Sequence, residues 1–214
     1  MHRLAVAVAA VALAACQSMA QGTISAAPPA LAPNAVAADV QPPAWSCSAS
    51  LFGYFVPNDQ DYAQPTFAAD RGRLHLEARY NYEALETGSA WLGYAFSAGR
   101  QLRMGLTPML GGVFGDLHGI APGYELTLGW SKLALDSEGE YVFDFEDNAE
   151  DFFYNWSELS IAPTGVWRAG LAIQRTRAYQ TSLELQAGPL AGVSYRRLDL
   201  TAYASTSAGR TPPS

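Results

Sequence analysis

The sequence predicts an all-β chain: an antiparallel up-and-down β-barrel of about ten strands, within a range of about 8–12, of the outer-membrane type. Three observations carry this prediction. Side-chain character alternates with a period of two over unusually long segments. The apolar faces of those segments end in aromatic residues, as interfacial girdles do. The opposite faces mix Arg, Glu, Asp, His and Asn, a set that pairs across a narrow lumen more readily than it fills a dry core.

The clearest strand runs from Arg73 to Glu83. Leu74, Leu76, Ala78, Tyr80 and Tyr82 share one face; Arg73, His75, Glu77, Arg79, Asn81 and Glu83 share the other. A second begins at Leu133, with Leu135, Gly139, Tyr141, Phe143 and Phe145 opposite Asp136, Glu138, Glu140, Asp144 and Glu146. A helix would scatter both sets around its circumference. Each segment is about as long as a tilted membrane strand, roughly ten residues against about five or six in soluble sheets.

Further strands are expected at Ser48–Val56, Ser89–Ser97, Leu102–Phe114, Tyr124–Trp130, Tyr154–Ile161, Val166–Gln174, Pro189–Arg196 and Leu198–Ala204. Turn residues separate several of them: Glu86-Thr87-Gly88, Ala98-Gly99, Ala121-Pro122-Gly123 and Pro163-Thr164-Gly165. The stretch from Pro57 to Asp70 reads as a long link. With these strands, short and long connections do not keep the alternating phase of a bacterial barrel.

The ends read differently. Residues 1–20 form an export signal: Arg3 is a short basic region, and Leu4 to Ala15 is an apolar run too short to span a bilayer as a helix. Two cleavage sites compete. Leu13-Ala14-Ala15-Cys16 is a lipobox that would leave Cys16 acylated, whereas Ser18-Met19-Ala20 fits ordinary signal cleavage. Residues 21–47 are Ala/Pro-rich and predict an extended tether, 48–204 the barrel domain, and 205–214 a tail without strand character.

Composition narrows the function classes. The net charge is −7, and twelve of the thirteen basic residues are Arg. No basic stripe exists to displace counterions from phosphates, which excludes nucleic acid as a partner. Cys47 is the only Cys besides Cys16, so no disulfide framework is expected.

Within the barrel, Arg73, His75, Glu77, Arg79, Glu83, Asp136, Glu138 and Glu140 are expected to form a lumen-side charge network, each ion needing a partner in a poorly hydrated interior. Leu74, Leu76, Tyr80, Tyr82, Tyr141, Phe143, Phe145 and Trp156 are expected to face lipid or form girdles, with Phe152 to Trp156 an interface anchor. No nucleophile elbow is present, and only His75 and His118 lie outside the signal. His75 is expected to belong to the network, and His118 to a solvated turn. The acidic connection Asp144, Glu146, Asp147, Glu150, Asp151 lacks EF-hand spacing, so it is expected to be a solvated loop, as are Asn58, Asp59 and Asp61. Gly111 to Gly115 marks a strand bend or close packing rather than a phosphate loop. No catalytic residue, cofactor or metal is expected.

Several strings together carry a resemblance: Asp70 to Glu83, Thr107 to Gly115, Ser137 to Tyr141, Phe153 to Glu158 and Gln174 to Arg177. Over Phe52 to about Tyr203 the chain resembles a group of uncharacterised bacterial proteins described as barrel-type outer-membrane proteins. The resemblance implies the barrel fold and membrane, and no activity. It also implies one strand more than this chain offers, since its last strand is followed by Arg210 and a Pro-rich tail.

The expected function is therefore a non-enzymatic barrel of the bacterial outer membrane, structural or forming a narrow, porin-like pore. Its partners would be outer-membrane lipid and the barrel-assembly machinery, with no small-molecule or ion ligand identified. A second reading is an exported lipoprotein whose soluble, lipocalin-like barrel holds an apolar ligand, with Leu74, Leu76 and Tyr80 facing inward. A third is a barrel enzyme that modifies envelope lipids.

Overall fold

A computed structural model of the chain describes residues 4–14, 43–55, 61–145, 152–178 and 184–207. The strands in chain order are β1 (Leu4–Ala14), β2 (Ser46–Phe55), β3 (Tyr62–Arg71), β4 (Leu74–Tyr80), β5 (Thr87–Tyr94), β6 (Phe96–Ala98), β7 (Leu102–Gly115), β8 (Gly119–Trp130), β9 (Leu133–Asp144), β10 (Phe152–Ile161), β11 (Trp167–Ala178), β12 (Glu184–Tyr195) and β13 (Leu198–Ser207). Among the described residues there is no helix. All strands lie in one up-and-down sheet, ordered β5-β4-β3-β2-β1-β13-β12-β11-β10-β9-β8-β7-β6, and β5 also pairs with β7. Every ladder is antiparallel. Because β5 and β6 lie end to end against β7, the thirteen segments occupy twelve positions across the sheet.

Two strands lie where the sequence predicts none. β3 falls in the stretch expected to be a long link. Its Pro65, opposite Leu51, has no N–H to donate, and Ala63, Ala68 and Ala69 blur the alternation. β1 falls in the expected signal and pairs with both β2 and β13. Elsewhere β8 begins at Gly119, five residues earlier than expected, carrying Pro122 opposite Leu110. β13 runs on to Ser207, three residues into the segment expected to lack strand character. The expected cleavage site and Cys16, most of the tether, Asn58, Asp59, the acidic residues from Glu146 to Asp151 and residues 208–214 lie outside the described residues.

Adding β3 restores the phase of the connections. At one end of the sheet the links are residues 72–73, 99–101, 131–132, 162–166 and 196–197; at the other they are 56–61, 81–86, 116–118, 145–151 and 179–183. Apart from residues 15–45, which join β1 to β2 at the first end, the first set is the shorter one. Left-handed residues make those tight reversals, among them Gly72, Ser131 and Arg196.

The two faces of the sheet differ in both burial and chemistry. His75, Glu77, Arg79, Thr87, Ser89, Trp91, Glu140, Tyr154, Glu158, Thr201 and Tyr203 are buried on one face. Leu92, Leu110, Leu159, Leu171 and Leu200, the alternate residues of the same strands or their neighbours, are exposed on the other. Side chains of the buried face cover one another: Phe52, Trp156, Ala172, Leu190 and Tyr203 form one apolar cluster, and Trp91, Met109, Val113, Ala121 and Val142 another.

A charged cluster on the buried face

Alternation along β4 sends His75, Glu77 and Arg79 to the same face. Arg79 is the hub. Its Nε donates to Glu77, its Nη1 donates to Glu140 Oε2 at 2.9 Å, and its side chain is 3% exposed. The guanidinium also lies over two aromatic rings, 4.3 Å from the Tyr82 centroid and 4.8 Å from that of Trp91. Tyr82 in turn donates its hydroxyl to Glu138 and packs edge-on against Tyr154. His75 is held at both nitrogens: Nδ1 is 2.8 Å from Asp70 Oδ1, and Nε2 is 3.1 Å from Glu77 Oε2.

Trp91 forms the floor of this cluster. Its Nε1 donates to Ser89 Oγ at 2.9 Å. Its indole lies so close to β7 and β8 that a Cβ on Gly111 would come within 2.5 Å of the ring, and one on Gly123 within 2.9 Å. The close-packing role expected of Gly111 is thus realised against Trp91. Gly112 points to open space on the other face.

A second ionic group sits farther round the sheet. Arg168 on β11 lies 3.3 Å from Asp199 and 3.7 Å from Glu158. Glu158 also accepts from Trp156 Nε1 at 2.9 Å and from the Tyr203 hydroxyl, and Asp199 accepts from Ser194 and Thr201.

The structure brings together His75, Glu77, Arg79, Glu83, Asp136, Glu138 and Glu140 on the buried face. Arg73 departs from expectation. It stands exposed beside the Gly72 turn, 5.9 Å over the Tyr94 ring, because β4 begins only at Leu74. Tyr82 also departs. The left-handed Asn81 (φ 56°) ends the alternation of β4, and Tyr82 turns to the charged face. Trp156 shares the parity of Tyr154 and Glu158, so it packs inward against Tyr203 instead of outward. Leu76, Tyr80, Tyr141, Phe143 and Phe145 are exposed, and Leu74 is half-buried. His118 is exposed in its turn. Sequence reading missed Glu125, Glu158, Arg168 and Asp199. The parity of β8, β10, β11 and β13 carries these residues.

Among the described residues, Glu83 is the one buried carboxyl in a connection rather than a strand. Neither of its oxygens has a hydrogen-bond partner among the described residues. Burial pushes its carboxyl above the ordinary carboxylate range. The folded state therefore holds this proton more tightly than the unfolded chain, and the penalty grows as pH rises past the ordinary value near 4.5. Glu83→Gln should stabilise the protein at pH 7 and leave it unchanged below about pH 4. Urea unfolding at the two pH values measures this, and an equal effect at both would contradict it.

Comparison with protein-family models, curated proteins and solved structures found no match.

Proposed function

We propose that the sheet closes into a β-barrel of the bacterial outer membrane, non-enzymatic, with a charge-filled interior that leaves a narrow pore or none. The observation that carries this reading is the inversion of the usual soluble pattern. Arg79, Glu77 and Glu140 are buried, while Trp130, Trp167 and Tyr195 are at least 60% exposed. In water such a sheet would present a very large apolar surface, which a hydrocarbon phase would cover. The inward-apolar, ligand-holding alternative needs Leu76 and Tyr80 inside, where Glu77 and Arg79 now sit.

Three further features support it. Exposed aromatics gather toward both ends of the outer face: Tyr94, Phe96, Trp130, Trp167 and Tyr195 near the short turns, and Phe55, Tyr80, Phe114, Tyr141 and Phe143 near the longer links. Leu106, Leu110, Leu171 and Leu200 lie between them, giving two girdles around an aliphatic band. Short links at one end and longer ones at the other match periplasmic turns and extracellular loops. Side chains also meet across the face: Arg79 on β4 reaches Glu140 on β9, three strand positions beyond β5, which requires strong curvature.

Outer-membrane fractionation followed by gel migration, boiled against unboiled, tests the reading. A heat-modifiable band in that fraction is expected, with small or no conductance in planar bilayers. Release into the soluble fraction without a heat shift would overturn the barrel, and a wide ohmic pore would overturn the filled interior.

A further inference from the structure

We propose that His75, Glu77 and Glu125 form a binding site for a divalent transition-metal cation of the Zn²⁺ class, with Asp70 orienting the histidine. One imidazole nitrogen and two carboxylate oxygens from these residues lie within 4.8 Å of one another. A nitrogen and oxygen bound at about 2.0–2.2 Å to one tetrahedral ion stand roughly 3.3 Å apart. The 3.1 Å between His75 Nε2 and Glu77 Oε2 is already close to that span.

The surroundings fit a ligand set in three ways. First, Asp70 accepts from His75 Nδ1 at 2.8 Å and holds the ring so that Nε2 faces Glu77, where a metal ion would take the place of the Nε2 proton. A carboxylate behind a histidine is the usual outer-shell arrangement at zinc. Second, Glu125 makes no hydrogen bond or salt bridge among the described residues, and the register sets it directly opposite Glu138 on β9. Like charges facing each other across a ladder repel. Arg79 makes its direct contacts with Glu77 and Glu140, which leaves Glu125 without a direct ion pair among the described residues. Third, β5, which lies between β4 and β7, offers no side chain there. Gly93 is opposite His75, and a Cβ on it would strike Thr107 and Met109 at 2.9 Å. That absence lets β8 present Glu125 to β4.

A cavity of about 330 Å³ is lined by Thr127 and Asp136, the next residues on this face after Glu125 and Glu138. Three protein ligands leave a fourth coordination position open. One imidazole among the donors selects a borderline cation over Ca²⁺, which takes oxygen ligands alone. The site depends on the pairing of β4, β5, β7 and β8 and not on membrane insertion, so it can fail or stand independently of the barrel reading.

The test uses the folded, detergent-extracted chain, stripped with chelator and titrated with Zn²⁺ against a chromophoric competitor. One Zn²⁺ per chain is expected, with affinity falling at least tenfold in His75→Asn and Glu125→Gln and about tenfold in Asp70→Asn. His118→Asn, in the exposed turn, should bind as the unaltered chain does. X-ray absorption of the zinc-loaded wild-type chain needs no variant to fold, and should show one nitrogen with oxygens at about 2.0–2.2 Å. No saturable uptake, an all-oxygen shell, displacement by equimolar Ca²⁺, or affinity unchanged in both ligand variants would each overturn the site.

Discussion

Replacing Arg79 with methionine should cost the folded chain about 3–5 kcal/mol, the penalty for stranding buried charges by deleting their partner. Arg79 is the cation that Glu77 and Glu140 share, and both carboxylates are almost fully buried. Glu140 already has one oxygen without a partner. Methionine keeps much of the volume and the contact with Trp91 and Tyr82 but neutralises the hub. The loss should shrink when Glu140 is made glutamine in the same chain, because one stranded charge is then removed. Urea titration of the folded form, read by tryptophan fluorescence, gives both numbers. Arg100→Ala, in an exposed turn, should change stability by less than about 0.5 kcal/mol. An Arg79 variant as benign as that one would show that the network contributes little.

The second large effect belongs to Trp91. Trp91→Ala should cost about 3–5 kcal/mol, since the indole is 3% exposed and nothing nearby can collapse into its space. Gly111→Ala tests the same contact from the other side. A methyl at 2.5 Å from the ring forces the indole to move, at about 1–3 kcal/mol. The two changes should not add: in the Trp91→Ala background, Gly111→Ala should be almost neutral, because the ring it strikes is gone. Additive losses in the double variant would mean that Gly111 matters for the bend of β7 and not for the indole.

Much of this sheet was legible because a strand's period of two writes burial directly into the sequence. His75-x-Glu77-x-Arg79 against Leu76-x-Ala78-x-Tyr80 leaves little choice of structure, and the structure keeps that division. What was hidden is what parity alone cannot carry. β3 has Pro65 and a run of small residues where contrast should be, and only its ladders with β2 and β4 reveal it. Tyr82 looked outward because alternation was extended two residues too far, past a left-handed Asn81 that no pattern announces. Trp156 was assigned by its chemistry, as aromatics favour interfaces, although Glu158 two residues on gave the opposite parity. The metal-ligand set was invisible for a different reason. Its members are 50 residues apart on strands that come together only through the pairing of β4, β5, β7 and β8, and the residue that makes room for them, Gly93, signals nothing by itself.

Strand β1 carries a consequence about parity and proteolysis. Leu4–Ala14 lies between β2 and β13, antiparallel to both, so those two neighbours run parallel to each other. The same eleven residues read as a leader. A segment cut away at export cannot also donate hydrogen bonds to two strands, so the two fates exclude each other. With it, the sheet has an even number of positions; without it, the number is odd and the sides of β2 and β13 that it pairs are bare. In hydrocarbon, each bare amide and carbonyl on those edges would cost several kcal/mol. They would have to be satisfied by parallel pairing of β2 with β13 or by a strand donated from elsewhere. Were Leu4–Ala14 removed on export, maturation of the chain and satisfaction of these edges would become one coupled event.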